Sequence, residues 1–314
     1  MITSDRWVLE VIQKGYAIEF IQNPPTNWGV KCTPVPVNSE ARKVLCQEIQ
    51  NLLEKNVIVP VPVDQVGQGF YSTFFLVQKK TGGYRPILNL RPLNNFVVRK
   101  GFKLDSIRTI KMLLQPGDFT TSLDLKDAYN HILIRESHQR YLRFEFMGNH
   151  YQFRALPFGL SSSPRVFCKI LAPIIEHLHL QGIQVVFYLD DGLIIHQSPV
   201  MLEHHTDQVC KLLNQLGWIL SVEKSRLNPS QDFVYLGGRF NTKLGRLSPT
   251  VQRVLGIQPL IEPFLKQNKV SARLFLEILG HMASLIDLVP FVRLHMRGLQ
   301  FCLLKQWNRS GTAF

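Results

Sequence analysis

Residues 187 to 195 read FYLDDGLII, two adjacent carboxylates inside an otherwise apolar run. Burying an ion costs several kcal/mol even after a protein relaxes, and side-by-side like charges raise each other's pKa. A chain carrying this stretch must fold so that Asp190 and Asp191 meet solvent or a cation. The flanking runs QVVFYL and LIIHQ are β-rich, and Asp-Gly between two such runs is a strong hairpin cue. The spacing predicts both carboxylates at the tip of a tight hairpin whose loop is Asp190-Asp191-Gly192.

Carboxylate oxygens at such a tip suit a divalent metal, whose charge cancels their repulsion. A solvated turn is the plainer alternative. In-line phosphoryl transfer on two metals about 3.5–4 Å apart needs a further carboxylate. Asp124 is the candidate, because TSLDL is an apolar strand ending in one Asp and would pair readily with an apolar hairpin. Asp124 could instead cap a helix over KDAYNHI, a role for which Asp127 competes.

Composition narrows the partner. Of 314 residues, 45% are hydrophobic and 19% charged, the balance of a folded globular protein. A formal charge of +13 points to a polyanion, either nucleic acid or an anionic membrane surface. No apolar run approaches the about 20 residues of a membrane span. Asp5, Arg6, Glu10 and Lys14 interrupt the N-terminus where a signal peptide would be apolar. Nucleic acid is therefore the expected partner, and no membrane. Cys32, Cys46, Cys168, Cys210 and Cys302 are scattered and form no Cys-x-x-Cys pair. They predict reduced, mostly buried thiols in an intracellular protein of cytoplasm or nucleus, with no disulfide framework or zinc site. EHLHL (176–180) and EHH (203–205) read as solvated helix faces, since no second cluster at ligand spacing accompanies them.

The first 38 residues are rich in Pro and Asn and predict an irregular segment wrapping a surface. A helix follows over SEARKVLCQEIQNLLEKN, capped by Asn38 or Ser39, with Val44, Ile49, Leu52 and Leu53 on one side. STFFLVQKK and YRPILNLRPL flank Thr81-Gly82-Gly83 as a hairpin; FTTSLDL is a strand; RFEFMGNHYQFRAL is a hairpin around Gly148-Asn149. SSPRVFCKILAPIIEHLHL predicts a helix opening at a Ser cap with Pro164 in its first turn. LEHHTDQVCKLLNQLGW is a helix, FVYLGGRF a short strand pair, and residues 249 to 307 are mostly helical. Strands and helices without a steady βαβ alternation predict an α+β sheet with helices on one face.

In order, FFLVQKKTGGYRPILNLRPLN, LDLKDAYNHILI, LPFGLSSSPRVF, FYLDDGLII, LGWILSVEKS and FVYLGG resemble the fingers and palm motifs of a reverse transcriptase. The resemblance runs from residue 40 to 240. Both flanks, DRWVLEVIQKGYAIEF and LGHMASLIDLVPFVRLHMRGLQ, resemble the DIRS-like retroelements and their long-terminal-repeat relatives. This implies an α+β right-hand polymerase: an extended N-terminal segment (1–40), fingers and palm (41–245), and a partial helical thumb and connection (246–314). The implied activity is RNA-directed DNA polymerase, joining a dNTP to a primer 3′-hydroxyl on an RNA or DNA template.

The resemblance also implies roles for single residues. Asp124, Asp190 and Asp191, helped by the Leu125 carbonyl, would hold two Mg²⁺ ions, with Mn²⁺ a possible substitute. One ion would activate the primer hydroxyl and the other neutralise the triphosphate and leaving pyrophosphate. Lys79 and Arg85 would grip the phosphates, Arg85 through its planar fork. Backbone N–H groups of Asp127 and Ala128 would add an anion nest. Tyr129 would lie under the sugar, and Phe158 and Gly159 against the nucleotide and template base. Lys224 would protonate pyrophosphate; Tyr235, Leu236 and Gly237 would hold the primer end. Plainer readings stand beside three of these: Lys79 and Lys80 as a solvated hairpin edge, Lys224 as a surface lysine, Tyr129 as core.

Phe158 stands where many retroviral enzymes carry Gln, and Asn89 where many relatives have Asp, which loses a charge but keeps the hydrogen-bonding shape. After Thr250 the acidic residues are Glu262, Glu277 and Asp287. That is too few for the metal pair of a ribonuclease H domain, so that domain is expected to be absent and the chain to be part of a larger polyprotein or a truncated copy. Against those three acids stand Arg246, Arg253, Lys266, Lys269, Arg273, Arg293, Arg297, Lys305 and Arg309, a basic face suited to a duplex backbone. Two rival classes remain: a catalytically inactive, truncated or domesticated nucleic-acid-binding copy, and a metal-dependent nuclease, which would not need the Lys79–Arg85 grip.

Overall fold

The structure, a computed structural model, describes residues 2–35, 39–78, 84–266 and 270–306. Its elements begin with α1 (Arg6–Lys14), α2 (Ser39–Glu54), β1 (Ile58–Pro60), β2 (Phe74–Gln78), β3 (Tyr84–Leu88), α3 (Arg91–Asn94) and α4 (Ile107–Leu113). Then come β4 (Phe119–Asp124), α5 (Glu136–Gln139), β5 (Arg143–Phe146), β6 (Asn149–Phe153), α6 (Ser163–Leu180), β7 (Gln184–Tyr188), β8 (Asp191–His196) and α7 (Pro199–Gln215). The chain continues through β9 (Arg226–Ser230), β10 (Asp232–Tyr235), β11 (Gly238–Asn241), β12 (Arg246–Pro249), α8 (Val251–Lys266), α9 (Ala272–Ser284) and α10 (Val292–Gln306).

The apolar runs predicted as strands assemble into an antiparallel sheet of order β7-β8-β4-β9. Successive side chains of a strand point to opposite faces, and here both faces are covered. Val185, Phe187 and Ile194 enter the main core with residues of α6 and α7. Val186, Leu193 and Ile195 pack instead with Ile110 of α4 and with Phe233, Tyr235 and Phe240 of the small sheet β10-β11-β12. α6 and α7 cover one face, and α4 with the small sheet covers the other. β9 carries no strand signal, and its Pro229 is tolerated because β9 is an edge strand.

A further sheet, β1-β6-β5, and the separate β2–β3 hairpin lie earlier in the chain. β2 and β3 pair from Phe74↔Leu88 to Gln78↔Tyr84, while Lys79, Lys80 and the Thr81-Gly82-Gly83 turn lie outside the described residues. The β5–β6 turn is Met147-Gly148, one residue earlier than expected, since Phe146 and Asn149 form the closing pair. The buried stripe of α2 is Leu45, Ile49 and Leu52; Val44 and Leu53 are half-buried.

The N-terminal segment is not wholly irregular. Asp5 accepts from the N–H groups of Trp7 and Val8 at 2.8 and 3.2 Å and starts α1, which buries Val8 and Val11. Gly15 ends it with φ 78, where a Cβ would lie 2.6 Å from the Arg135 nitrogen. Beyond it the chain runs as a strap, bridging Tyr16 to Ile134, Phe20 to Val97, Asn27 to Gly69 and Cys32 to Glu145. α6 has Pro164 in its first turn, but the Ser162 side chain makes no capping bond. No cysteine is buried: Cys32 and Cys46 are exposed, and the other three intermediate, all as free thiols. Among the described residues no helix is long and apolar enough to cross a membrane.

His205 corrects the reading of EHH as a solvated face. It is buried, and among the described residues its Nδ1 has no hydrogen-bond partner. Burial first, then His196 and His204, push its pKa down. The unfolded chain therefore binds this proton more readily, so the stabilisation is present above the ordinary histidine range, about 6.5, and is lost as pH falls through it. The melting temperature should drop between about pH 7 and pH 5 more steeply in the wild type than in His205→Gln. Equal slopes would assign the acid sensitivity elsewhere.

Candidate active site

β4 and β8 stay in register from Phe119↔His196 to Asp124↔Asp191, so two aspartates end the ladder side by side. Directly opposed residues share a face with Cβ atoms about 5 Å apart. Asp190 sits in the adjoining turn, Leu189-Asp190, because Tyr188 and Asp191 close the β7–β8 hairpin. The expected Asp190-Asp191-Gly192 loop is thus displaced: Asp191 and Gly192 belong to β8. Gly192 is there for space, since a Cβ would lie 2.6 Å from the Phe187 ring. Leu189 takes the left-handed turn conformation instead, φ 54, at a cost of about 1–2 kcal/mol. The Leu125 N–H, donating to the Asp190 carbonyl at 2.9 Å, ties this turn to the end of β4.

Asp124 is a buried strand end and not a helix cap. Its N–H donates to Ser225 Oγ at 3.1 Å, and its carbonyl accepts from the Ser221 N–H at 2.8 Å. Lys224, on the same short segment, is an exposed side chain that brings Nζ to 3.3 Å from Asp124 Oδ1. Asp191 keeps an exposed outer edge. Even so, desolvation by the surrounding protein, then Asp190, then Asp124 push its carboxyl up to about 6 against the lowering effect of Lys224.

Three carboxylates with one ammonium among them form a hard-oxygen donor set still short of positive charge, which fits divalent cations. Among the described residues no three such side chains close into a preformed ligand cage; the arrangement is an open one.

Asp190 borders a cleft of about 590 Å³ whose lining also includes Leu125, Asp127, Ala128, Tyr129, Phe158, Tyr84, Lys224 and Lys55. Asp127 takes φ 51 and ψ 42 and opens the 3-10 turn Ala128–His131. Tyr129 is 8% exposed, its ring 4.9 Å from Phe158 and 5.7 Å from Phe167. It is core and cleft wall at once. Gly159 does not line the cleft. At φ 100 its Cβ would meet the Leu88 carbonyl at 2.6 Å, and its own carbonyl accepts from Asn94 Nδ2 at 2.8 Å. Its smallness lets the Phe158 loop press against β3. Arg85 lies in β3 opposite Val77; its side chain, like Lys79, lies outside what is described. Lys55, whose Nζ is 2.7 Å from Asp127 Oδ2, carries no sequence signal for this place.

Leu236 and Gly237, φ 49 and 76, form the turn between β10 and β11. The Tyr235 side chain turns inward. It is 5% exposed and donates its hydroxyl to the Asp191 carbonyl at 2.7 Å; burial, then Asp191, push its pKa up. The phenol props the aspartate hairpin from below. Tyr235→Phe keeps the packing and removes one hydrogen bond, so turnover should fall about fivefold to tenfold with duplex affinity unchanged. A loss of duplex affinity alone would return Tyr235 to a primer-contact role.

An antiparallel sheet that gathers aspartates at one strand end beside an open cleft, with Tyr84 of the β2–β3 hairpin in the cleft lining and helices packed on the sheet, is the right-hand polymerase fold. The chain belongs to the reverse transcriptase family: residues 77–240 match the family model described as reverse transcriptase (RNA-dependent DNA polymerase). It is 23% identical over 204 residues to the enzymatic polyprotein of Figwort mosaic virus (strain DxS), covering 63% of this chain and 29% of that one. With the genome polyprotein of Petunia vein clearing virus it shares 24% over 273 residues, 86% of this chain and 12% of the relative. With the transposon Tf2-3 polyprotein of Schizosaccharomyces pombe it shares 28% over 155 residues, 49% and 12%. The chain spans less than a third of each.

Among solved structures, the foamy viral protease-reverse transcriptase dRH in complex with double-stranded DNA aligns with a TM-score of 0.71 at 19% identity, covering 97% of this chain and 57% of that one. The foamy viral protease-reverse transcriptase in complex with an RNA/DNA hybrid aligns at 0.69 and 18% identity, covering 97% and 44%. Identities this low speak for the fold.

Proposed function

We propose that this chain is the RNA-directed DNA polymerase segment of a retroelement polyprotein, adding dNTPs to a primer 3′-hydroxyl on an RNA or DNA template. The observation that carries the reading is the Asp124–Asp191 ladder pair with Asp190 in the adjoining turn. Two Mg²⁺ ions, or Mn²⁺, held by these carboxylates and the Leu125 carbonyl would supply Lewis-acid activation of the hydroxyl and charge neutralisation at pyrophosphate.

This chain's own groups do the rest. Lys224 steadies Asp124 and is placed to hand a proton to the leaving pyrophosphate. Asp127 and Ala128 offer backbone N–H groups to phosphate, with Lys79 and Arg85 gripping from the β2–β3 hairpin. Tyr129 and Phe158 wall the sugar and base, Gly159 holding that wall in place. The Leu236-Gly237 turn meets the primer end, and the basic residues of 246–314 follow the duplex backbone. The division into 1–40, 41–245 and 246–314 follows from these roles. The two flanking motifs support a DIRS-like lineage, and five free thiols support action inside the cell. Primer extension by the purified chain on an RNA template with Mg²⁺ tests the reading. Duplex binding without extension under Mg²⁺ and Mn²⁺ would favour the inactive nucleic-acid-binding alternative.

Tyr129 gives this reading a sharper edge. A deoxyribose leaves its ring undisturbed, whereas a 2′-hydroxyl must push it against Phe158 and Phe167. Misplacement of about 1 Å can cost roughly a hundredfold in rate. Tyr129→Val should therefore raise ribonucleotide incorporation relative to deoxyribonucleotide, read as the ratio of kcat/KM. If both rates fall alike with the ratio unchanged, Tyr129 is packing alone.

A further inference from the structure

Resting on the nucleotidyl-transfer reading above, we propose that Lys55 is a further substrate ligand, its ammonium engaging the triphosphate of the incoming nucleotide from the rim of the cleft. α2 ends in a turn where the Lys55 N–H donates to the Asn51 carbonyl at 3.1 Å and the Val57 N–H to the Leu52 carbonyl at 2.9 Å. Asn56 between them takes φ 53. That left-handed residue turns the chain from α2 into β1 and leaves Lys55 at the cleft, where Nζ stands 2.7 Å from Asp127 Oδ2. Both side chains are about half exposed, 51% and 44%. Such a pair is screened by solvent and contributes little by itself, so the ammonium exchanges partners at small cost.

The surroundings say what the new partner would be. Lys55, Asp127, Ala128, Asp190 and Lys224 line one cleft. Asp190 brings a carboxylate to it, Lys55 and Lys224 bring ammonium groups, and Lys55 is tied to the residue that opens the Ala128–His131 turn. A cleft offering both suits a metal-bound polyphosphate, cations meeting the carboxylate and phosphates the ammonium groups. Without nucleotide, the Asp127 carboxylate holds the ammonium. A triphosphate carries more negative charge and draws it away.

The test reads dNTP dissociation constants on a complex with a chain-terminated primer, so that binding is measured without turnover. Lys55→Gln should weaken dNTP binding about tenfold, the loss of one charge-assisted contact, and Lys55→Arg should recover most of it. Asp127→Asn keeps the backbone N–H groups of the turn, tolerates the left-handed conformation and frees Lys55, so dNTP should bind more tightly. In that background Lys55→Gln should cost at least as much as in the wild type. If its effect vanishes there, Lys55 only neutralises Asp127 and the proposal fails. Unchanged binding by Lys55→Gln fails it equally. A wild type that binds dNTP but never extends a primer sinks the polymerase reading and leaves this one standing; a wild type that binds no dNTP overturns both.

Discussion

Asp190→Asn should lower primer extension by at least about a hundredfold to a thousandfold, the range seen when one preorganised charge stabiliser is removed from a transition state. Affinity for the template–primer should survive, because it rests on the basic residues and their release of counterions. The hairpin backbone is untouched: the Leu125 N–H still meets the residue 190 carbonyl, and Tyr235 still holds that of Asp191. The metal-free variant should also melt slightly higher, since Asp190 is one of the two carboxylates crowding Asp191. Chelating divalent ions from the wild type should reproduce the loss of extension without the gain in stability. Extension at the wild-type rate by Asp190→Asn would remove the carboxylates from the chemistry.

Gly192→Ala is the second large effect, and it tests the corrected hairpin register. The added Cβ would stand 2.6 Å from Phe187 Cε1 and 2.8 Å from Cζ, and Phe187 is itself buried in the main core. The ring cannot retreat, so β8 must move, carrying Asp191 with it. A shift of about 1 Å at a reacting centre costs on the order of a hundredfold, and kcat should fall by that much while dNTP affinity changes less. Phe187→Leu in the same chain removes the obstructing ring carbons and should restore most of the activity. Without such rescue, position 192 would need glycine for its backbone, as a loop residue would, and the placement of Asp191-Gly192 within β8 would be wrong.

Much of the site was legible before folding because its chemistry is local. LDL, FYLDDGLII and YLGG each bring functional residues together within a few positions, and short β-rich apolar runs mark β4, β7 and β8 as strands. What misled was also local. Asp-Gly is a good turn signal, yet here the glycine serves the Phe187 ring, and Leu189 takes the left-handed position. α1 hides behind charged residues that argue against a signal peptide, although Asp5 and Gly15 are its two caps. β9 is invisible because RLNPS has neither apolar alternation nor freedom from proline; it becomes a strand only because Thr120 and Ser122 of β4 offer it an edge.

The sequence by itself determined which groups are available: three aspartates at the ends of apolar strands, a basic C-terminal segment, and a motif order that names the family. Only the tertiary structure decided which groups meet. Lys55 reaches Asp127 across 72 residues, Lys224 reaches Asp124 across 100, and the Tyr235 hydroxyl reaches the Asp191 carbonyl across 44. Residue type and periodicity are properties of neighbours along the chain, and they set strands, helices and chemistry. A salt bridge or a hydroxyl under a hairpin depends on how distant segments pack, and no local pattern encodes that.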